Sequence, residues 1–134
     1  MNVVLAAIAD YSMTAKDDKL SIIGMFERIS AQQFPATHAR MDLVLRMQCT
    51  KADINRSREI LVELVDEDGH NIAKVEGHAQ VGDFAETVAT ITNVIVFQGL
   101  VFEKPGTYQF NIFIEGRQEC ALPLILELAK TPIS

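Results

Sequence analysis

Alternation of apolar and polar residues is the feature that most restricts the fold of this chain. The clearest case follows a Pro-Gly turn at residues 105–106, where every second side chain is large and apolar, namely Tyr108, Phe110, Ile112 and Ile114. Successive side chains of a β-strand point to opposite faces, so this spacing predicts a strand with one buried face. Phe113 is an unexpected apolar residue on the opposite face, which otherwise carries Gln109 and Asn111.

The same alternation recurs along the chain, and turn signals separate its segments. It predicts strands at residues 2–10, 20–24, 41–49, 60–64, 72–81, 90–98, 108–114 and 119–128. The run Asp66-Glu67-Asp68-Gly69 is typical of a hairpin turn. We expect residues 26–34 to be irregular, Gly99 to interrupt a strand, and Pro123 to lie at a sheet edge or a bulge.

Short strands without a helical period predict an all-β fold. A chain of 134 residues fits one domain, residues 1–134, with about seven to nine strands. The Pro-Gly-x-Tyr entry at Tyr108 is similar to the tyrosine corner, in which a tyrosine hydroxyl ties a loop to the start of a strand. We therefore expect a two-sheet antiparallel β-sandwich of the immunoglobulin-like or fibronectin-like type.

The charge balance disfavours a polyanionic partner. The chain carries 12 basic and 18 acidic side chains, which gives a net charge of −6. Binding to phosphate groups requires clustered positive charge, so we expect neither nucleic acid nor a membrane surface as a partner. The apolar stretch at residues 3–9 is too short to span a bilayer and lacks the positive flank of a signal peptide. It favours a buried first strand and a cytoplasmic protein.

Several short motifs carry a resemblance to a known family. They are the start Val-Leu-Ala-Ala-Ile-Ala-Asp, Lys19-Leu-Ser-Ile-Ile-Gly24, Phe34-Pro35, Leu43-Val-Leu-Arg46, Val65-Asp-Glu-Asp-Gly69 and Phe102-x-x-Pro-Gly-x-Tyr-x-Phe110. In this order they resemble a family of short, uncharacterised bacterial proteins, classed as a domain of unknown function, that spans nearly the whole chain. The resemblance implies a small β-sandwich, and it brings no catalytic residues with it.

The residues with reactive side chains form no recognised catalytic or metal-binding motif. His38, His70 and His78 share no ligand spacing and are interpreted as isolated surface histidines. Cys49 and Cys120 are expected to be reduced thiols that face the core, where a thiol is inert. The sequence contains no nucleophile elbow, phosphate-binding loop or dinucleotide fingerprint. We therefore predict a protein that is not an enzyme and has no cofactor.

Carboxylates in two predicted turns suggest an alternative, a ligand-binding module for calcium or a carbohydrate. The candidate metal ligands are Asp17, Asp18, Asp66 and Asp68. The spacing does not match an EF-hand, and acidic residues are common in hairpin turns for conformational reasons. For a carbohydrate, the chain offers no tryptophan and only two tyrosines for stacking.

Apolar residues on the outward faces of the later strands predict a surface for a protein partner. The residues concerned are Phe113, Ile125, Leu61 and Val65, joined by one pair from residues 94–97. Contiguous apolar patches of several hundred Å² are rare on monomers. Two interpretations remain: residues 26–38 or 131–134 cover this face, or it binds a protein partner, most simply in a symmetric homo-oligomer. Our main prediction is a non-enzymatic interaction or assembly protein.

Overall fold

The computed structural model describes residues 1–130 and is all-β, with 72% of its residues in strands. The nine strands of this part of the chain are β1 (Asn2–Thr14), β2 (Leu20–Met25), β3 (Arg28–Ala31), β4 (Ala36–Thr50), β5 (Ser57–Val65), β6 (Asn71–Gln80), β7 (Val88–Phe102), β8 (Gly106–Ile114) and β9 (Arg117–Leu128). A single 3₁₀ turn, Lys51–Asp53, follows β4. The prediction of an all-β fold with two sheets is confirmed.

The strands form two sheets, which we call sheet A and sheet B. Sheet A has the order β2-β1-β4-β7, and sheet B has the order β3-β9-β8-β5-β6. Sheet B curls into a half-barrel. Apolar side chains from both sheets form a shared core. The two sheets approach each other between β1 and β9 and again between their edge strands β6 and β7.

The alternation at residues 108–114 predicts the core correctly. Phe110 and Ile112 are fully buried, and Tyr108 and Ile114 nearly so, whereas Phe113 lies half-buried on the other face of sheet B. In β9 the expected inward row ends early, because Leu128 at the end of the strand is 56% exposed.

The strand β3 corrects two of the expectations. The chain leaves sheet A after β2 and bridges to sheet B, where the Glu27 carbonyl accepts a hydrogen bond of 2.8 Å from the Ile125 backbone N–H. It then runs parallel to β9, from the Arg28–Ile125 pair onward, so residues 26–34 are not wholly irregular and the sheets are not wholly antiparallel. Four residues are too few to show an alternating pattern, so this strand was not predicted.

Gly99 shifts the alternation of β7 without interrupting the strand. Phe97 packs in the core before Gly99, and Leu100 and Phe102 pack against it afterwards, so the inward positions change from odd to even numbers. Gly99 has a φ of +70°, a conformation that glycine adopts without strain. Pairing with β4 continues on both sides of it in the same register.

Two positions show the local structure that their residue types predict. Pro123 pairs with Gln109 of β8, and β3 joins the other side of β9 only from Ile125, so Pro123 lies on a locally open edge. The Tyr108 hydroxyl donates a hydrogen bond of 2.7 Å to the carbonyl of Lys104, which ties the turn to the start of β8.

Candidate interaction surface

The register of sheet A defines its outer face, the side away from the core. In β4, Met41, Leu43, Leu45 and Met47 point into the core, and the residues between them point outward. One outward row contains Ala7, Val44 and Val94, and the next contains Met25, Ala9, Asp42 and Val96, one from each strand. The centre of this face is inaccessible to water, because Ala7, Ala9 and Val44 are at most 3% exposed.

Exposed apolar side chains are concentrated on the strands of sheet A. Of the eleven large apolar side chains that the described residues leave exposed, four lie on β1, two on β2, four on β7 and one on β9. We call four of them, on the outer face around Val44, the sheet A patch: Leu5, Met25, Val94 and Val96.

A buried carboxylate lies beside the sheet A patch. Asp42 is fully buried and accepts hydrogen bonds from the Ser12 hydroxyl at 2.8 Å and the Arg40 Nε at 3.0 Å. Burial alone raises the pKa of Asp42, but the hydrogen bonds from Arg40 and Ser12 outweigh it and leave that pKa below its ordinary value. The Arg40 guanidinium also lies 5.1 Å from the centre of the Tyr11 ring. This carboxylate is therefore ionised and fully engaged, which suits a structural role rather than proton transfer.

The sequence-predicted surface on sheet B is divided by polar side chains. Leu61 and Phe113 are direct cross-strand neighbours, and both are half-buried. Val65 is separated from them by the row that pairs Glu63 with Asn111. The fourth residue, Ile125, is half-buried two strands away from Val65, where it pairs with Thr107 of β8 and Arg28 of β3. The structure thus brings two of the four residues together, and their role in binding stays a prediction.

The segment expected to cover this face lies beside it instead. Residues 26–38 include β3, which extends sheet B at its edge. From there the Arg28 guanidinium reaches Glu127 at 2.8 Å. The other covering segment in that interpretation, residues 131–134, lies outside the described residues.

The turn carboxylates divide into two separate groups. Among the described residues, Asp66, Asp68 and His70 are close enough that three ligand atoms, one from each, lie within 4.8 Å of one another, and this group does not include Asp17 or Asp18. Asp66 Oδ1 already accepts hydrogen bonds of 2.9 Å from the backbone N–H groups of Asp68 and His70. These bonds, that of His70 first, hold the pKa of Asp66 below its ordinary value.

Asp68 and Asp17 also have partners within the fold. Lys104 Nζ lies 3.4 Å from Asp68 Oδ2. Asp17, in the turn between β1 and β2, accepts a hydrogen bond of 3.3 Å from the backbone N–H of Lys19. These contacts account for Asp17, Asp66 and Asp68 as turn-stabilising residues, and calcium binding by Asp17, Asp18, Asp66 or Asp68 stays a prediction.

The sheet A patch was missed by the sequence reasoning except at two points. Val44 broke the polar side of its strand, and residues 94–97 were apolar on both faces. Both signals mark the outer face of sheet A. The contributions of Leu5 and Met25 depend on which strands are neighbours, and the alternation pattern carries no information about strand order.

Comparison with protein-family models gives one match. The model of a family of unknown function, DUF6941, matches residues 4–127. The chain belongs to this family. The DUF6941 match runs from β1 into β9 and confirms the resemblance to a domain of unknown function. Comparison with curated proteins and with solved structures finds no significant match. Within the described residues, no helix has the length and apolar character needed to cross a membrane.

Proposed function

We propose that this protein is a non-enzymatic interaction protein that assembles with further copies of itself through sheet A. The observation that supports this proposal is the uneven distribution of exposed apolar side chains, ten of which lie on three strands of sheet A. Apolar surface of this kind is stabilised when a second protein removes it from water.

The distribution of charge supports self-association at the same place. The four strands of sheet A, which are 13, 6, 15 and 15 residues long, carry two basic and two acidic side chains, against 12 and 18 in the whole chain. The acidic excess of the protein therefore lies outside these strands. Two copies that meet through sheet A bring together surfaces with no net charge, which limits the electrostatic repulsion between them.

The proposal is tested by the native mass of the purified protein in light scattering. We expect a multiple of the 14.9 kDa chain mass. Val94→Glu introduces a charge into the sheet A patch at a position that is 38% exposed, so the variant should fold and dissociate. Wild-type protein that remains monomeric at the highest soluble concentration contradicts the proposal.

Phe113→Glu is the matched variant on sheet B. If sheet A forms the contact, Phe113→Glu leaves the native mass unchanged. If the surface predicted from Phe113, Ile125, Leu61 and Val65 forms it, Phe113→Glu dissociates the assembly and Val94→Glu does not. Circular dichroism of both variants separates dissociation from unfolding.

The alternative function is a ligand-binding module that uses the turn carboxylates. The grouping of Asp66, Asp68 and His70 is the observation that favours it. Calorimetry with calcium tests it directly: binding heat that disappears in Asp68→Asn supports a calcium site, and the absence of heat and of a shift in melting temperature excludes one.

Two finer assignments are part of the proposal. The immunoglobulin-like or fibronectin-like character of the fold is supported by the Tyr108 hydrogen bond to the Lys104 carbonyl, which has the form of a tyrosine corner. A cytoplasmic location is supported by the two free cysteines, because thiols stay reduced in that compartment.

A further inference from the structure

The strand β7 is an open edge along its whole length. It pairs with β4 from Val88–Thr50 to Phe102–Ala36. On its other side, no described residue forms a backbone hydrogen bond with it. An edge of 15 residues therefore presents a row of free backbone N–H and C=O groups. Such a row is the template to which another β-strand binds.

The composition of β7 lacks the features that normally protect an edge. Its sequence, VATITNVIVFQGLVF, contains no charged residue and no proline. The other edge strands differ: β2 and β3 have only six and four residues, and β6 carries Lys74, Glu76 and His78. Charge and short length are the usual means of preventing edge-to-edge pairing. Among the described edges, β7 alone has neither.

The strand β6 approaches β7 without forming a backbone hydrogen bond to it, so the N–H and C=O groups on this side of β7 stay unpaired by the described residues. A cavity of about 100 Å³ lies there, lined by side chains that include Ile60, Val75, Asn93 and Ile95. On the outer face, β7 exposes Val94 and Val96 beside the buried Val44. A strand added to β7 would extend the sheet at this point and shield apolar side chains on both of its faces.

We propose that β7 pairs with β7 of a second copy, antiparallel about a two-fold axis near Ile95, so that two sheets A form one sheet of eight strands. This inference rests on the proposed self-association and names its contact. A two-fold axis brings the same strand from each copy together, and an uncharged strand meets its own copy without like-charge repulsion. In this register Val94 lies opposite Val96 of the partner subunit.

The first test replaces both valines with lysine. Val94→Lys with Val96→Lys brings four ammonium groups together at the axis and should weaken the assembly by roughly tenfold or more. Met25→Lys is the matched control, because Met25 is exposed on the same outer face at the opposite edge of the sheet. The control should assemble as the wild type does.

The second test is hydrogen exchange of the wild-type protein, which needs no variant to fold. Dilution from the assembled to the monomeric range should accelerate exchange at alternate amides of residues 88–102 and leave β6 and β8 unchanged.

An assembly whose β7 amides are unaffected by dilution, or that Met25→Lys weakens as much as the double variant, overturns edge pairing and leaves the proposed function standing. A wild-type monomer at all concentrations overturns both. Protection of β7 only in the presence of a different protein assigns the edge to that protein and overturns the two-fold pairing.

Discussion

At the scale of single residues, Asp53 is the clearest link between sequence and stability. It is 1% exposed and accepts hydrogen bonds from the Thr50 backbone N–H at 2.9 Å and the Arg58 Nε at 3.0 Å. The Met1 ammonium lies 3.4 Å from Asp53 Oδ2, the oxygen that accepts the hydrogen bond from Thr50. Burial raises the pKa of Asp53, but the hydrogen bonds from Thr50 and Arg58 and the ammonium outweigh it, and the pKa lies below its ordinary value.

Replacing Asp53 with asparagine should therefore lower the free energy of unfolding at pH 7 by about 3 kcal/mol, since Arg58 loses its buried partner. A carboxyl with a lowered folded pKa stabilises the fold above its unfolded pKa of about 3.9, and this contribution is lost as the pH falls through the folded value. Urea titrations should thus show the difference between wild type and variant shrinking below about pH 4. Asp83→Asn, in an exposed loop, is the control. A constant difference down to pH 2 would contradict this account.

The residue scale also shows where sequence patterns stop being informative. The alternation assigned Cys49 and Ile112 to the core, and both are fully buried. It gave no indication for Asp53, which lies between the predicted strands 41–49 and 60–64, because the burial of Asp53 depends on Arg58 and on Met1, which is distant in the chain. Periodicity reports the local direction of a side chain, whereas burial depends on what the rest of the chain places over it.

At the scale of secondary-structure elements, the entry to β8 provides a sharp test. Tyr108→Phe removes the hydroxyl that donates to the Lys104 carbonyl and keeps the ring, which packs edge-on against Phe102 at 5.0 Å. We expect a loss of about 1 kcal/mol in the free energy of unfolding, the usual net value of one hydrogen bond. Tyr11→Phe is the matched control, because Tyr11 is 44% exposed and its ring contact with Arg40 survives. Equal effects of the two substitutions would show that the hydroxyl of Tyr108 does not tie the turn to the strand.

The strands were predicted most accurately where they are long and have a clear alternating pattern. The alternating runs of β4 and β8 were both found: β8 begins two residues before its predicted start, and β4 begins five residues before it. The parallel strand β3 was missed because its four residues are too few to show an alternating pattern, and its partner lies about a hundred residues later in the chain. The sheet A patch was likewise predicted only in part. The sequence shows that β7 is apolar on both faces at residues 94–97, but which residues of β1 and β2 lie beside them depends on the order of strands in the sheet.

At the scale of the whole molecule, assembly through sheet A links stability to protein concentration. A folded dimer that dissociates on unfolding is stabilised by mass action, so its melting temperature rises with concentration. For a chain of 134 residues, we expect about 2–3 °C for each tenfold increase once the dimer predominates. A monomer has no such dependence, because folded and unfolded states then contain the same number of particles.

Differential scanning calorimetry at two concentrations a hundredfold apart measures this effect. The Val94→Lys, Val96→Lys double variant should melt at one temperature at both concentrations, at or below the lower wild-type value, while Met25→Lys should follow the wild type. The physical reason is that both valines are exposed in the single chain, so their replacement leaves the core intact and the lysines act mainly on the contact between copies. A double variant that retains the wild-type dependence on concentration would place the contact elsewhere on the molecule. A wild type without any dependence would contradict self-association through sheet A.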